Sequence, residues 1–513
     1  MTLKMMGHSQ HDYLKSYQGA IAQLSSSPKD RDTQHMAVLS LARMGSLDFA
    51  LSEYDRYDLA SVRHHEDIMA LGGRLSKDLY LMTTGKVAIR HAQDSAQKYE
   101  AAYQDTKGYY SGINAATMSF LADTPKEIIL SRIEHIQTSL PATENLTPTD
   151  YYFIEATRAE CFLLREEISK AKACLRSAIN FDPLNYSAHA ATLKQFRLIL
   201  KKQKNPLHWL KDFTPPRPVH FAGHIWKNDA PPFAPNYETM LTQVADIIQQ
   251  KDIGYGYGAL AAGADIIIAE VLIQEGAELH VTLPCDIESF IEYSVRPFGE
   301  DWVPRFKSCI EEASSIKTLN RASKTPQRDS DFVAAQVSMG QAIIKGRQFD
   351  VEPEQLLLLD ENATKSMTAN QATTWESKNL SQNVLPISVH AKNSASKRIK
   401  PKPIAIKVGD SKTKLIDEFE SLNAAIDGAY ERLSVTSNQT VAMHYATDDA
   451  EDILKALTAK KIPNSILVSD CIASTIALEN DKTWNVTYAG VVNIGKSQGI
   501  QNQIHIYTLR TIK

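Results

Sequence analysis

Residues 252–284 read DIGYGYGALAAGADIIIAEVLIQEGAELHVTLP. Gly254, Gly256, Gly258 and Gly263 stand between an apolar segment and a run with helical character, Asp265 to Gln274, and Glu278–Leu283 then follows as a strand ended by Pro284. Glycine lets the backbone approach a neighbour closely. A helix that starts near Leu260 or Ala261 would add the partial positive charge of its N-terminus to that approach. A glycine-rich turn, a helix and an apolar strand in this order belong to a parallel α/β sheet, whose strands are buried on both faces. Two readings of the glycines stay open: a cradle that presents backbone amides to an anionic ligand, or a tight packing turn. The spacing is not the G-x-G-x-x-G pattern with an acidic residue about 20 positions on.

Outward from this stretch the alternation continues. FTPPRPVH (213–220) closes what precedes and opens a β-type segment, Val219 to Ile225, before a helix at about 236–250. Downstream, DFVAAQVSMGQAIIKGRQF (331–349) reads as a helix and EQLLLLD (354–360) as a strand. Residues 361–402 turn polar and end in SASKRIKPKP, read mostly as a linker, with a phosphate-binding or anionic-surface patch as the alternative. A small α/β segment then covers 403–513. It has strands near 403–408, 465–469, 485–493 and 503–509, and helices near 415–433 and 449–460.

Upstream, residues 12–204 show helical periodicity throughout. Ala171, Leu175, Ala178 and Pro183 fall at the spacing of the second helix of a tetratricopeptide unit, where small residues allow close helix approach and proline ends the pair. Gly45, Ala50 and Tyr54 make a fainter copy, with paired helices around 74–104 and 126–139 between them; a generic helical bundle is the alternative.

The whole chain sets further bounds. At 513 residues it exceeds the roughly 250–300 at which single cores stop growing, so several domains are expected. With 60 acidic and 56 basic residues there is no basic field for a phosphate backbone, which argues against nucleic acid as a partner. The five cysteines are odd in number and lack CxxC spacing, which argues against a zinc site or a secreted disulfide framework and for reduced, buried thiols. The N-terminus MTLKMMGHSQHDYLKSYQ has no apolar core, and no stretch reaches the roughly 18 apolar residues of a membrane span, so a cytoplasmic location and no membrane partner are expected.

The candidate ligand-binding residues are Gly223, His224, Gly256, Gly258, Gly263, Asp265 and Glu270. Gly223 and His224 follow the first strand, at the carboxyl edge where open α/β sheets bind ligands; His224 would bond a phosphate or serve as an ordinary loop residue. Asp265 suits a helix first turn, and Glu270 is read as a partner for a ribose hydroxyl or as a solvated side chain.

GYYSGINAATM (108–118), after KYEAAYQDTK, resembles the hallmark of the TRAFs-binding region, a helical-repeat module of apoptosis signal-regulating kinases and many bacterial proteins. FAGH (221–224), GALAAGADIIIAE (258–270), GAELHVTLPC (276–285) and SVRPFGEDWVPRF (294–306) are similar to segments of a Rossmann-like domain. Its superfamily includes cytokinin-activating phosphoribohydrolases and DNA-processing proteins. That resemblance implies a nucleotide-like pocket at Gly223, His224, Gly258, Gly263 and Asp265; the PGG-x-GT-x-x-E pattern that supplies the phosphoribohydrolase glutamate is absent. IAIKVGDSKTKLIDE (404–418) and ILVSDCIASTIALE, YAGVVNIGK and IHIYTLR (466–510) resemble a shortened class III nucleotide cyclase domain. Only Asp410 falls at a metal-binding carboxylate position, whereas two-metal chemistry needs paired carboxylates.

The expected architecture is helical repeats over 12–210, a Rossmann-like parallel-sheet domain over 216–375, a linker at 376–402 and a ferredoxin-like cyclase remnant over 403–513. The expected function is a non-catalytic signalling or sensor scaffold, with a nucleotide or nucleotide derivative as ligand, a protein partner on the repeats and a homodimer through the tail. The alternatives are an enzyme acting on nucleotides, either an N-glycosidic or NAD-type hydrolase in the central domain or a divergent cyclase at the C-terminus, and a purely structural interaction protein.

Overall fold

The computed structural model describes residues 11–141, 146–227, 237–319, 328–360, 362–388, 402–409, 416–435, 439–479, 483–497 and 500–511. The chain divides into two compact units, one principally residues 7–215 and the other principally 216–486 with 492–510.

The first unit is helical: α1 (Tyr13–Ser26), α2 (Arg31–Arg43), α3 (Leu47–Arg56), α4 (Glu66–Met82), α5 (Gly85–Thr106), α6 (Tyr109–Leu121), α7 (Lys126–Ser139), α8 (Pro148–Leu164), α9 (Ile168–Phe181) and α10 (Tyr186–Gln203). Consecutive helices pair as α2–α3, α4–α5, α6–α7 and α8–α9, while α2, α4, α6, α8 and α10 stand side by side in an inner row. Small residues set this packing. Ala171, Leu175 and Ala178 are buried on α9 where it lies on α8, and Ala50 and Tyr54 are buried on α3. GYYSGINAATM forms most of α6, and its Gly112 has no room for a side chain because a Cβ there would lie 2.9 Å from the Tyr103 ring.

The second unit begins with a six-stranded sheet ordered β4-β3-β2-β1-β5-β6, parallel throughout. Its strands are β1 (Arg217–Gly223), β2 (Ile253–Gly258), β3 (Glu278–Leu283), β4 (Ser315–Thr318), β5 (Glu354–Asp360) and β6 (Ser381–Ile387). The intervening helices are α11 (Tyr237–Gln250), α12 (Ala264–Gln274), α13 (Ile287–Phe290), α14 (Trp302–Glu312), α15 (Arg328–Phe349) and α16 (Met367–Glu376). The arrangement is Rossmann-like, and the strand order reverses between β1 and β5.

Two expectations change here. The glycine-rich turn at 254–258 is instead the central strand β2. IGYGYG has the period of a strand: Tyr255 and Tyr257 stack on one face with His280, at 6.4 and 4.6 Å between ring centroids. The glycines face the other way, where a Cβ on Gly256 would lie 2.5 Å from Leu272 of α12. Helix α12 accordingly starts at Ala264, later than Leu260 or Ala261. The polar stretch after Asp360 likewise contains α16 and β6, and β6 pairs with β5 in register from Glu354–Ser381 to Asp360–Ile387. An edge strand keeps one side half-exposed and tolerates Pro386, so its composition reads as linker.

A mixed sheet follows, ordered β11-β12-β10-β9-β7-β8. Its strands are β7 (Ile404–Val408), β8 (Asp417–Phe419), β9 (Thr440–Tyr445), β10 (Ser465–Ser469), β11 (Trp484–Ser497) and β12 (Ile500–Thr511), with helices α17 (Leu422–Val435), α18 (Ala450–Thr458) and α19 (Asp470–Glu479). It is a small α/β layer as expected, with its elements in the order ββαβαβαββ and with β9 and β10 as parallel neighbours. β9 and α19 had no counterpart in the sequence reading.

The two sheets of this unit meet through α19. Helix α15 lies across β1, β2 and β3 and against α19. Lys317 of β4 pairs with Asp470 in the first turn of α19 at 2.8 Å, and Arg347 and Lys378 donate to the carbonyls of Ala477 and Glu479 at its end, each at 3.2 Å. Negative charge at the start and positive charge at the end suit the helix dipole. Gly340 sits in the middle of α15, where glycine costs about 1 kcal/mol relative to alanine. A Cβ there would lie 2.0 Å from the Ser474 carbonyl oxygen, which explains the glycine. Gly340→Ala is expected to lower stability by about 1–3 kcal/mol despite its better helix propensity. Urea unfolding measures this, and a more stable variant would contradict the packing.

Candidate functional site

The reversal point lies at the carboxyl ends of β1 and β5, the edge at which open α/β sheets bind ligands in a crevice. Chain geometry brings four of the candidate residues there. Gly223 ends β1. Its N–H donates to Asp265 Oδ1 at 2.9 Å, and its carbonyl accepts from Thr368 Oγ1 at 3.1 Å. A Cβ on Gly223 would lie 2.1 Å from the Ala264 Cβ, so glycine is what lets α12 start against the end of the strand. The His224 N–H donates to the Leu358 carbonyl at 3.2 Å, and its own carbonyl accepts from the Ala264 N–H at 3.2 Å. Gly263 has φ +101°, a conformation suited to glycine, and lies under the Trp226 ring, 2.8 Å from where a Cβ would stand.

Asp265 organises the loop. Its carboxylate is buried and accepts from the amides of Gly223 and, at 3.2 Å, Ala261. The Ala262 N–H donates to the Ser294 carbonyl at 3.0 Å. The amides of Gly223, His224, Ala261, Ala262 and Ala264 are therefore all satisfied by the protein itself, two of them by the buried Asp265 carboxyl group. Burial drives the Asp265 carboxyl up to about 7, against the downward pull of the Ala261 and Gly223 amides.

The polar groups that line the crevice come from the other side. His224 is buried, and its Nε2 has no hydrogen-bond partner among the described residues. Burial holds its pKa below the usual imidazole range, with the Asp360 carboxylate opposing. Asp360 closes β5, is buried, and accepts from the backbone N–H of Asn362 at 3.0 Å. Neutral His224 can present Nε2 either as donor or as acceptor.

The remaining candidates lie elsewhere. Gly256 is within β2, and Gly258 ends that strand, where a Cβ would lie 2.6 Å from the Phe221 ring. Glu270 faces α14 and accepts two hydrogen bonds from Arg305, at 2.8 and 2.5 Å, and Arg305 stacks over Trp302 at 4.4 Å. Asp410 lies outside the described residues, and no group of three or more metal-ligating side chains occurs among those described. Asp360 and Thr368 escaped the sequence reading. The available signal was position: Asp360 ends the apolar run EQLLLLD, at the carboxyl edge of a buried strand.

The cysteines are free thiols; Cys161, Cys285, Cys309 and Cys471 are buried and Cys174 is half-buried. Burial pushes the Cys285 and Cys309 thiols up to about 12, which makes them poor nucleophiles. Among the described residues no helix is long and apolar enough to cross a membrane.

Fold and crevice together define a helical-repeat protein that carries a Rossmann-like parallel sheet and a mixed α/β layer. Residues 15–119, from α1 to α6, match the family model described as Tetratricopeptide Repeats-Sensor. No curated protein matches the chain.

The raised Asp265 carboxyl gives a signed prediction. The folded state keeps this proton up to about pH 7, whereas an unfolded carboxyl releases it near about 3.9. Its contribution to stability is full below the lower value and is lost as pH rises to the upper one. Wild type minus Asp265→Asn stability, from urea unfolding, should therefore be larger at pH 5 than at pH 8; an equal difference at both would refute the assignment.

Proposed function

We propose that the protein is a non-catalytic sensor scaffold, in which the crevice between β1 and β5 takes a nucleotide-type ligand and the helical repeats take a protein partner. The observation that carries the ligand reading is the buried His224 Nε2, without a partner among the described residues, at the reversal point of a parallel sheet. A buried polar atom left unpaired costs about 1–3 kcal/mol, so a ligand group that pairs with it gains that much in binding. Thr368 and Asp360 stand at the same edge and suit hydroxyl and amino groups better than phosphate, because the loop amides already serve Asp265. A nucleoside portion fits this edge.

The likeness of FAGH, GALAAGADIIIAE and GAELHVTLPC to the phosphoribohydrolase and DNA-processing superfamily supports a nucleotide-type ligand. The sensor repeat match at 15–119 supports the scaffold. Tyr151 and Phe181 stack at 3.6 Å on the α8–α9 pair with Phe181 52% exposed, an aromatic surface suited to a protein partner. The tail as a cyclase remnant that pairs two copies belongs to the same proposal.

Native mass spectrometry of freshly purified protein, with thermal shift against a nucleoside and nucleotide panel, tests this reading. A retained or stabilising nucleoside-type ligand is expected, with the shift lost in His224→Ala. No shift with any compound and no retained mass would refute it, and turnover of NAD, AMP or ATP would move the assignment to an enzyme.

A further inference from the structure

The helical unit holds a second polar assembly, and each helix of its inner row contributes to it. Arg43 ends α2; Arg74, Lys77 and Asp78 share one face of α4; Tyr110 and Asn114 are one turn apart on α6; Glu160 lies on α8 and Gln195 on α10. The Lys77 ammonium donates to Asn114 Oδ1 at 3.0 Å, and the Asn114 amide donates to the Tyr110 carbonyl at 2.9 Å, which fixes it as the support for Lys77. The nearest carboxylate to Arg74 is Asp78, 3.6 Å from Nε, and that buried Nε has no hydrogen-bond partner among the described residues. Neither Arg43 nor Lys77 makes an ion pair among those residues. Glu160 is held from Thr117 and Gln195.

Three cations thus crowd one face. Burial pushes the Lys77 ammonium down to about 8, with Glu160 and Asp78 opposing and Arg74 and Arg43 adding to the shift. Bringing like charges together on adjacent helices is unfavourable unless an anion joins them. Asp78 and the enclosed Glu160 do not close the set, because Arg74 keeps an open donor and Arg43 is exposed to water at the edge of the cluster. A single carboxylate is matched by one guanidinium, whereas a dianionic phosphate draws two or more cations with several donors in fork geometry. Tyr110, 40% exposed, borders the cluster and packs edge-on against Tyr99 at 6.1 Å.

We propose that the inner row of helices binds a phosphate-bearing ligand between Arg43, Arg74 and Lys77. This site goes beyond the sheet crevice and lies in the other unit, so the two succeed or fail separately.

Isothermal titration calorimetry of the full chain with inorganic pyrophosphate tests it, using Arg43→Gln, Lys77→Met and, as a control in the sheet crevice, His224→Ala. Binding is expected in wild type and His224→Ala, weakened at least about tenfold in Arg43→Gln and Lys77→Met, and reduced by added salt. Arg43 is exposed, so Arg43→Gln should unfold at the wild-type temperature and decides the matter even where Lys77→Met folds poorly. The proposal falls if wild type does not bind pyrophosphate, or if both charge variants bind it as wild type does. It also falls if a glutamate-rich peptide, and not pyrophosphate, binds wild type and is lost in Arg43→Gln, which would make the surface one for acidic peptides.

Discussion

The close approach of α12 to β1 and β2 is the constraint on which the α/β unit depends. Three side chains are missing where the helix and strands meet: a Cβ on Gly223, Gly256 or Gly258 would stand 2.1–2.6 Å from Ala264, Leu272 or Phe221. With those positions empty, Ile266, Ile267, Ile268 and Leu272 are fully buried in the core beside Val219 and Phe221. The other face of β2 carries its two tyrosines, so one strand separates a tight aliphatic layer from an aromatic and polar one. Alanine at Gly223 or Gly256 would force the helix outward and open the core, and alanine at Gly258 would press on the Phe221 ring of β1.

The same approach decides the electrostatics of the crevice. Once α12 starts at Ala264, its first-turn Asp265 falls under the end of β1 and receives the amides of Gly223 and Ala261. In many α/β folds a helix N-terminus and a glycine loop direct such amides to a ligand phosphate. Here the protein's own carboxylate takes that place, and the polar character of the crevice shifts to His224, Asp360 and Thr368. The edge then offers an imidazole, a hydroxyl and a carboxylate where other folds offer open amides, and among the described residues the inner face of the repeats carries a cluster of cations.

Much of the element order was legible because burial leaves periodic traces. The runs ELHVTL and EQLLLLD, the helices at 236–250 and 331–349, and the small-residue spacing of Ala171, Leu175 and Ala178 follow directly from what each side packs against. IGYGYG was illegible as a strand because glycine has low strand preference; its period of two is visible only when the tyrosines are read as one face. SQNVLPI escaped because an edge strand need not be apolar. The sites were less legible still. The role of Glu270 depends on Arg305, 35 residues away, and that of Lys77 on Asn114, 37 residues away, and no local pattern announces either. The sensor repeat match spans 15–119, while the sharpest tetratricopeptide spacing lies at 171–183, on the α8–α9 pair.

Contacts made by backbone rather than by side chains also determine how the two sheets of the α/β unit relate. A side chain between α15 and α19 could absorb a small displacement by changing rotamer, but Gly340 meets the Ser474 backbone with nothing between. Ion pairing and carbonyl capping by Lys317, Arg347 and Lys378 hold both ends of α19 to elements of the first sheet. Helix α15 leads into β5, whose last residue, Asp360, borders the crevice. A movement of β5 along its axis would therefore carry α15, and α15 cannot shift without displacing α19 and the mixed sheet behind it. The physical route from the end of β5 to the mixed sheet is short, with one main-chain contact at Gly340 and side-chain ties at both ends of α19.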